Sequence, residues 1–495
     1  MGAAQAGGTV RRVTSARLRP PAALAVLLAA GVAARLWLML DYRPAYLSSN
    51  DSARFLHFAH RGDGLYDDSF GPSGYAAFLK AARAVWDQLE FTVALQHLLG
   101  VAAALLLYAA VRRLGAPVFA AAIPAGVVLL SGDQLYLEHS LLSEAGFLPL
   151  VAGGLYAAVR ALDGDRRLAW LALAGGLVAG AALFRNVGMA LPPALSLWAL
   201  ATMPGGARGK LAATAACAVA AAAVIGAYAG GAALADGVTG MTSVSGWNAY
   251  GRAAPFADCD RFDPPAGTRE LCEDSPADDR PGSLFYLWYE GSPARARFGH
   301  PPLHGEALGK WGRRAILAQP VDYARTVASE LPRFLMPTWH RKRYSGGGWF
   351  LISRRDPKTE GDVLFHVERD YDAAAVHVGD SARVVARWQK VQRLGGFVPG
   401  ALVALALAGL VGARGRARAG ALLFALAGGA LVVMPAATLS LLGRYTVPPT
   451  PIVAAAAAIG AWALAQRARG HLAERPRASR PRSFTAREER PTSTP

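Results

Sequence analysis

Charged residues are scarce in this sequence. Only 18% of the 495 residues are Asp, Glu, Lys or Arg, whereas 53% are hydrophobic. This balance excludes an ordinary soluble domain and indicates a membrane protein with several spans. The sequence also has no internal repeat, no Walker or Rossmann glycine pattern and no Cys/His spacing typical of zinc, which excludes the nucleotide and zinc sites recognised by those patterns.

Cysteine is equally rare, with three residues in the whole chain. Cys217 lies inside an apolar run, where we expect a small packing residue. Cys259 and Cys272 are close together in a long polar stretch that we place outside the membrane, where disulfides are stable. The sequence therefore predicts a Cys259–Cys272 disulfide.

Apolar runs near the length of a tilted membrane helix recur along the chain. They predict an all-α polytopic membrane protein with about ten transmembrane helices, a long first outer loop and an extracytoplasmic α/irregular segment. The predicted spans cover residues 21–40, 91–111, 117–132, 135–160, 168–184, 187–203, 211–234, 395–413, 419–442 and 448–466. The first follows a basic segment but lacks an A-x-A-like cleavage site, so we expect it to be retained. These spans contain almost no charge at their centres.

Lysine and arginine are concentrated in every second connection, which sets the orientation. The basic connections include Arg112 and Arg113, Arg166 and Arg167, and Arg414 to Arg418. We therefore expect both termini to be cytoplasmic in a plasma membrane, with the residue-51 loop and the stretch 235–394 outside. The net charge of +17 then needs no nucleic acid as a partner, because basic cytoplasmic segments meet anionic lipid. The abundance of alanine and arginine is typical of high-GC bacteria.

The predicted organisation has five parts. They are a cytoplasmic N-terminus at 1–20, a transmembrane catalytic core at 21–234 with its first outer loop at 41–90, an extracytoplasmic segment at 235–394, C-terminal transmembrane helices at 395–466 and a disordered basic cytoplasmic tail at 467–495.

The first outer loop is longer and more acidic than a simple connection requires. Its acids are Asp41, Asp51, Asp63, Asp67, Asp68 and Asp87. Asp51 is the strongest candidate for chemistry, because a carboxylate outside the membrane can deprotonate a hydroxyl. The alternative is a helix-capping residue before Ser52. Arg54, one turn later on the same helix face, is suited to keep Asp51 ionised and aimed.

Two arginines lie in short outer loops, where positive charge is disfavoured. Arg185 follows the fifth span in LFRNVG, and Arg444 follows the ninth in LLGRYTVPP. A guanidinium at headgroup depth suits a phosphate, because it offers several fixed donors. The alternative is that each side chain extends to the lipid headgroups.

Polar residues at the outer edge of the spans supply further candidates. Glu144 lies in the fourth span with Glu138 and His139, and either pairs with an arginine, positions a polar loop or helps to bind a metal. Gln96 and His97 hold a similar place in the second span, where hydrogen bonds between helices are the default expectation.

These elements, in this order, resemble the GT-C superfamily of integral-membrane glycosyltransferases. The likeness is to its polyprenyl-phosphate-dependent branch, which includes protein O-mannosyltransferases and the aminoarabinose transferase of lipid A. An acid in the first outer loop of that branch opens a D-E-x-R-Y-like helix. The matching strings here are DSARF at 51–55, PSGY at 72–75, QHL at 96–98, SE at 143–144, RNVG at 185–188 and RYTVP at 444–448. Ser52 replaces the second acid of the family pattern.

The resemblance implies a transferase that moves a hexosyl or pentosyl group from a polyprenyl-phosphate donor, with inversion, to an extracytoplasmic glycan, lipid or protein acceptor. Asp51 would act as the general base, and Arg185, Arg444 and Tyr445 would hold the donor phosphate. Supporting roles fall to Arg54 and, through the matched motifs, to Tyr75, Gln96 and Glu144. No cofactor is implied with certainty, and the missing second acid leaves a divalent metal as an open question.

Two other classes of function remain at this point. A transporter or flippase of lipid-linked sugars would show paired charges near the middle of the membrane and repeat symmetry. A non-catalytic cell-envelope assembly factor would explain Ser52 in place of an acid.

Overall fold

A computed structural model describes residues 21–46, 50–61, 66, 70–236, 240–336, 367, 369, 371, 377–392 and 397–473. The predicted N-terminal segment at 1–20, most of the tail at 467–495, and Asp63, Asp67 and Asp68 lie outside these residues. The described part is mostly helical, as predicted.

Nine of the helices precede residue 203. They are α1 (Ala22–Asp41), α2 (Asn50–Arg61), α3 (Gly74–Val85), α4 (Leu89–Arg113), α5 (Val118–Leu130), α6 (Gly132–His139), α7 (Glu144–Ala161), α8 (Arg167–Phe184) and α9 (Leu191–Thr202). A 3₁₀ helix at Asn186–Ala190 joins α8 to α9.

The later helices include the outer segment and the C-terminal spans. They are α10 (Ala207–Asp236), α11 (Ser245–Ala253), α12 (Ser283–Trp288), α13 (Pro293–Phe298), α14 (Gly305–Ala318), α15 (Pro320–Ala328), α16 (Ser381–Gln392), α17 (Phe397–Gly412), α18 (Gly415–Thr438) and α19 (Pro449–Ala473). Short 3₁₀ helices lie at Cys259–Arg261, Arg269–Leu271, Leu331–Phe334 and Gly443–Thr446.

Six helical segments in the described part are long and apolar enough to cross a membrane, or up to eight if each of two bent pairs is one span. The six are Ala22–Asp41, Leu89–Arg113, Arg167–Phe184, Ala207–Ala235, Gly415–Thr438 and Gly443–Arg469. The chain is thus a multi-pass helical membrane protein in its length and composition, but the predicted count of ten is not confirmed. The orientation of the termini stays a prediction.

The difference in count has a physical origin in the middle of the N-terminal half. The predicted span at 117–132 is the 13-residue α5, and the predicted span at 187–203 is divided between the 3₁₀ helix Asn186–Ala190 and the 12-residue α9. The predicted span at 135–160 is two helices, α6 and α7, because Ser140 is extended between them. α6 instead continues α5 with a bend of 49°.

Small residues let the spanning helices approach closely. α7 packs between α4 and α8, α8 also contacts α10, and α19 packs against α17 and α18. A β-carbon added to Gly175 of α8 would collide with the backbone of Cys217, and one added to Gly460 would collide with the carbonyl oxygen of Leu405. Cys217 is buried with a free thiol, which agrees with the packing role expected from sequence.

The outer segment after α10 has an aromatic core of its own. Trp247, Tyr250, Tyr286 and Trp311 of α11, α12 and α14 are each 1% exposed or less. The predicted Cys259–Cys272 disulfide is confirmed, with a Cα–Cα distance of 5.9 Å. Closing a loop of this size stabilises the fold by about 3 kcal/mol in the chain-entropy model.

The first outer loop is tied to the chain that precedes the C-terminal spans. Two-residue strands β1 (Tyr42–Arg43) and β2 (His377–Val378) pair antiparallel. Beside them the Asp41 carboxylate accepts a hydrogen bond from the Ser381 amide, with a donor–acceptor distance of 2.6 Å. The end of α1 is thereby joined to the start of α16.

A buried ion pair joins α1 to α6. Arg35 of α1 donates from Nε and Nη2 to the two Glu138 oxygens at 2.8 and 2.9 Å. His97 and Gln134 also contact this carboxylate, at 3.0 Å each. Removing one partner of such a pair costs about 3–5 kcal/mol, so the cluster fixes how α1, α4 and α6 pack.

Candidate active site

Asp51 lies in the first turn of α2, and Ser52 sets the rotation of that helix. The Ser52 hydroxyl is fully buried and donates to the Leu141 carbonyl at 3.0 Å. The neighbouring Asp51 side chain consequently remains 34% exposed. Ser52 therefore anchors α2 to the chain between α6 and α7, and a second acid at this position would point into the protein interior.

Asp51 contacts arginines from both ends of the chain. Arg444 of the 3₁₀ helix Gly443–Thr446 donates from Nη2 to Asp51 Oδ2 at 2.5 Å, across 393 residues of sequence. Arg54 lies one turn along α2, with Nη2 3.9 Å from Oδ1. The Arg444 side chain is only 13% exposed, so its charge interacts with Asp51 in a largely water-excluded position.

Arg185 joins the same group through Glu144. Arg185 directly follows α8, and its backbone N–H still donates a helical hydrogen bond to the Ala181 carbonyl. Its Nη1 forms an ion pair with Glu144 Oε1 and donates to the Ser143 hydroxyl at 3.3 Å. Arg444 Nε lies 3.7 Å from the same Glu144 oxygen. The two arginines from separate outer loops thus share one carboxylate.

Tyr445 lies against both guanidinium groups. The centre of its ring is 4.9 Å from Arg185 Cζ and 5.4 Å from Arg444 Cζ. An aromatic ring at this distance attracts a cation through its negative face. Tyr445 therefore holds the two arginines near each other while leaving their outer nitrogens to other partners.

The described group contains three arginines and two carboxylates. Arg54 and Arg444 contact Asp51, and Arg185 and Arg444 contact Glu144. Glu144 is fully buried, whereas the Asp51 side chain is 34% exposed. Guanidinium groups are suited to bind an anionic ligand, because each offers several fixed donors.

The Asp51 carboxylate is held ionised. Partial burial would raise its pKa, but the charges of Arg444 and Arg54, the hydrogen bond from Arg444 and the charge of Arg185 outweigh it and lower the pKa from 3.8 to about 2. While Arg444 is bound to it, this carboxylate is a weak base. A general-base role requires that Arg444 move to another anion first.

Tyr75 and Gln96 lie behind the charged group and support it. The Tyr75 hydroxyl donates to Gln96 Oε1 at 2.6 Å, and Gln96 Nε2 donates to the carbonyls of Glu138 and Ser140 at 2.9 Å. Both side chains are fully buried. This chain of hydrogen bonds fixes the segment that leads from α6 into Ser143 and Glu144.

His97 and His139 belong to the Arg35–Glu138 cluster and not to the Asp51 group. His97 Nε2 is 3.1 Å from His139 Nδ1, and His139 Nε2 is 2.9 Å from the Tyr42 carbonyl. The break at Ser140 explains the separation, because it places Glu138 and Glu144 on different helices. The predicted span at 135–160 would have contained both Glu138 and Glu144.

An apolar cavity of about 510 Å³ lies between the 3₁₀ helix Leu331–Phe334 and the C-terminal helices. Leu331, Phe334 and Leu335 form one wall, and residues of α17, α18 and α19 form the others. Tyr445 packs against the same apolar cluster as Phe334, Val432 and Val453. Tyr445 therefore contacts two arginines and also packs against residues that line the apolar cavity.

No group of three or more His, Cys, Asp or Glu residues that could hold a metal ion occurs among the residues that the structure describes. The carboxylates nearest to each other in the charged group, Asp51 and Glu144, are both occupied by arginine.

The segment before Arg444 is held by residues that the sequence did not reveal. Arg252 of α11 donates from Nη1 to the Leu439 carbonyl at 2.8 Å, and the Glu330 carboxylate accepts from the Leu441 amide at 2.7 Å. Arg333 Nη1 donates to the Ser440 hydroxyl at 2.9 Å. The sequence spacing of Arg252, Glu330 and Arg333 forms no motif. These residues reach residues 439–441 because the segment after α10 folds against the end of α18.

Comparison with known proteins gives matches in structure alone. No protein-family profile and no curated protein sequence matches the chain. The oligosaccharyltransferase AglB from Archaeoglobus fulgidus, in complex with an inhibitory peptide and a dolichol-phosphate, has 14% identity and a TM-score of 0.46 over 91% of this chain and 51% of that one. The apo form of the Archaeoglobus fulgidus enzyme has 13% identity and a TM-score of 0.45 with the same coverage.

This chain therefore spans about half the length of the solved structures that it matches.

Proposed function

We propose that this protein is a membrane glycosyltransferase that moves a sugar from a polyprenyl-phosphate donor to a hydroxyl of an acceptor outside the membrane. The observation that carries the proposal is the contact of Asp51 with Arg444, beside an Arg185 that shares Glu144 and Tyr445 with Arg444. This group places the guanidinium groups of Arg444 and Arg185 near a partly exposed carboxylate. A base and an anion-binding pair side by side are what displacement of a phosphate from a sugar requires.

The apolar cavity supports a lipid-linked donor. A phosphate between Arg185 and Arg444 would lie next to Tyr445, and the cavity beside Tyr445 is lined by hydrocarbon side chains. A prenyl chain entering from the membrane fits such a lining, because its burial needs no polar partner. A nucleotide sugar has no hydrocarbon chain that could occupy this cavity.

Binding of the donor phosphate would also make Asp51 a stronger base. When the phosphate takes hydrogen bonds from Arg444, that side chain leaves Asp51, and the pKa of the carboxyl rises from about 2 toward its ordinary value. The base thus becomes effective only when the donor is in place. Arg54 stays on the same helix to keep the carboxylate aimed.

The proposed transfer is a single displacement at the anomeric carbon of the sugar. The acceptor hydroxyl gives its proton to Asp51, its oxygen forms a bond to the anomeric carbon, and the bond from that carbon to the phosphate oxygen breaks. The electron pair stays on the prenyl phosphate, whose added charge Arg185 and Arg444 stabilise. Attack from the side opposite the leaving phosphate inverts the anomeric configuration.

A transport role has less support. The Arg35–Glu138 pair is the kind of buried charge that a carrier uses, but its donors and acceptors bind one another, and both side chains are at most 4% exposed. Arg54 and Arg444, in contrast, contact Asp51, whose side chain is 34% exposed.

The proposal predicts which donor class the purified protein consumes. In nanodiscs with a mixture of acceptor extracts, a radiolabelled sugar on prenyl phosphate should be transferred, and free prenyl phosphate should appear in equal amount. The same sugar on a nucleoside diphosphate should give no product in the absence of prenyl phosphate. Transfer from the nucleotide sugar alone would contradict a lipid-linked donor.

A further inference from the structure

His97 of α4 and His139 of α6 form a buried pair that the proposed transfer does not use. His97 is 4% exposed and His139 is fully buried, so their ring nitrogens meet protein groups instead of bulk water. His97 Nδ1 lies 3.0 Å from Glu138 Oε2, and His97 Nε2 lies 3.1 Å from His139 Nδ1. His139 Nε2 lies 2.9 Å from the Tyr42 carbonyl oxygen. The two rings thus connect a carboxylate to a backbone carbonyl through three contacts.

Three hydrogen bonds along this row need three protons. The Tyr42 carbonyl and an ionised Glu138 can only accept, so His139 Nε2 and His97 Nδ1 must each carry a hydrogen. The contact between the rings needs a third hydrogen, because two lone pairs 3.1 Å apart repel each other. Two neutral imidazole rings supply only two hydrogens. The geometry therefore requires one proton beyond those of the neutral rings.

The additional proton belongs to a ring and not to Glu138. Arg35 donates to both Glu138 oxygens, at 2.8 and 2.9 Å, and Gln134 Nε2 donates to Oε1 at 3.0 Å. A guanidinium that binds with two nitrogens needs both oxygens as acceptors, which is the pattern of an ionised carboxylate. His97 touches this carboxylate, so His97 is the imidazolium, and a neutral His139 accepts its second hydrogen.

The groups around the pair leave the two rings as the place where the proton is gained or lost. The titratable and charged groups that surround the rings are Arg35 of α1, Glu138 of α6, and Tyr42 and Tyr46, whose ring centres lie 5.9 and 4.8 Å from that of His139. The Asp41 carboxylate, next in sequence to Tyr42, accepts from the Ser381 amide. Histidine is the side chain in this set that ordinarily changes charge near neutral pH.

The pair holds the break between α6 and α7. The His139 carbonyl accepts from the Tyr46 amide at 3.0 Å, and Gln96 Nε2 donates to the carbonyls of the residues on both sides of His139 at 2.9 Å. Ser140 is extended, and four residues later Glu144 begins α7 and contacts the two arginines of the candidate site. A contact from α4 to the end of α6 therefore fixes the residues that direct Glu144.

We propose that His97 and His139 together hold one proton more than two neutral rings, with His97 as the imidazolium, and that this proton positions Glu144. His97 is a positioning residue, because it acts through Glu138 and the chain that follows. Loss of the proton leaves two hydrogens for three contacts, so one hydrogen bond breaks and residues 138–144 loosen. An unfolded histidine is mostly neutral above about pH 6.5, so this contribution to stability falls as the pH rises above that value.

The proton can be counted by ¹⁵N NMR of the full protein in lipid nanodiscs, with ¹⁵N in the histidine rings. An ordinary histidine is only about 3% protonated at pH 8. We expect one imidazolium at pH 8 and a ¹⁵N–¹⁵N correlation between two histidine rings, which is observed on the unaltered chain. Neutral rings alone at pH 8 would overturn the proposal.

Two variants assign the imidazolium signal. His97→Asn keeps a donor for Glu138 but removes one ring, so the signal and the correlation between rings should both disappear. His300→Gln removes an exposed histidine of the outer segment and should leave both unchanged. An imidazolium at pH 8 that persists in folded His97→Asn belongs to another histidine and would also overturn the proposal.

Hydrogen exchange tests the positioning role without reference to activity. As the imidazolium signal is lost at high pH, protection of the amides in residues 138–147, corrected for the intrinsic effect of pH, should fall about tenfold or more, as for loss of a buried charge-assisted hydrogen bond. In His97→Asn this protection should no longer follow that change. Constant protection through the loss of the signal would contradict the positioning role.

The effect on the donor rests on the proposed transfer function. Since Glu144 contacts both arginines, the affinity for a radiolabelled polyprenyl-phosphate sugar should fall over the same pH interval, and in His97→Asn it should not follow that interval. No donor binding at any pH would contradict the proposed function while the NMR result stands. Donor affinity that stays constant while the imidazolium is lost would contradict the link from His97 to Glu144 and leave the donor site standing.

Discussion

Asp51→Asn should lower sugar transfer by about two to four orders of magnitude, the usual contribution of a general base. The amide keeps the shape of the side chain but cannot accept the acceptor's proton. The fold should survive, because the Asp51 side chain is 34% exposed and Arg444 retains Glu144 at 3.7 Å. Transfer rates and donor binding would be measured on the same preparation.

Donor binding separates loss of the base from loss of the site. It should be retained or strengthened in Asp51→Asn, since the Asp51 carboxylate no longer competes with the donor phosphate for Arg444. Asp87→Asn is a matched control, because Asp87 lies in the same predicted loop, its side chain is exposed, and it pairs with Arg83 at 2.6 Å. Near-normal turnover in Asp51→Asn would remove Asp51 as the base and direct attention to Asp41 and Glu144.

Arg444→Gln should lower kcat by about two to three orders of magnitude, as loss of a donor to a developing oxyanion does. It should also weaken donor binding, since the donor phosphate loses a charge-assisted hydrogen bond. Arg314→Gln provides a control, because Arg314 is an exposed arginine of the outer segment that lies 3.8 Å from Asp263. Unchanged binding and turnover in Arg444→Gln would exclude the phosphate role.

The pH profile gives a second signature of Arg444. In the folded protein Arg444 contributes to a pKa of about 2 for Asp51, so removing its charge must raise that pKa. The base is active when deprotonated, and the acidic limb of free-enzyme kcat/KM should therefore move to higher pH in Arg444→Gln. A merely structural role for Arg444 would lower the rate without moving the limb.

Sequence reasoning reached the helical membrane fold because hydrophobic length is a local property. It did not reach the number of spans, since that depends on where a helix breaks. Ser140 interrupts an apolar stretch with an extended backbone and separates α6 from α7, and nothing in the alternation of polar and apolar residues marks that position. The same break divides Glu138 from Glu144.

The sequence predicts those residues of the candidate site whose charge is unusual for their position in a membrane protein. Asp51, Arg185 and Arg444 are charges in places where a membrane protein rarely has them, and the structure brings them together. Their catalytic and phosphate-binding roles stay predictions. Tyr75 and Gln96 were found through motifs, but their hydrogen bond to each other shows that they act behind the site.

The remaining charged clusters had no sequence signal. Arg35 lies in an otherwise apolar span, and its partner Glu138 is 103 residues away. Arg252 and Glu330 are separated by 78 residues, and the cluster meets the end of α18 another hundred residues on. Such contacts are set by tertiary packing, which a single sequence does not reveal.

The most direct test of the account is the position of the donor in a structure of the Asp51→Asn protein with a polyprenyl-phosphate sugar bound. The account predicts density for the phosphate between the guanidinium groups of Arg185 and Arg444, the prenyl chain in the apolar cavity beside Tyr445, and the anomeric carbon facing residue 51. Density for the phosphate away from both arginines, or a sugar that faces away from residue 51, would contradict it.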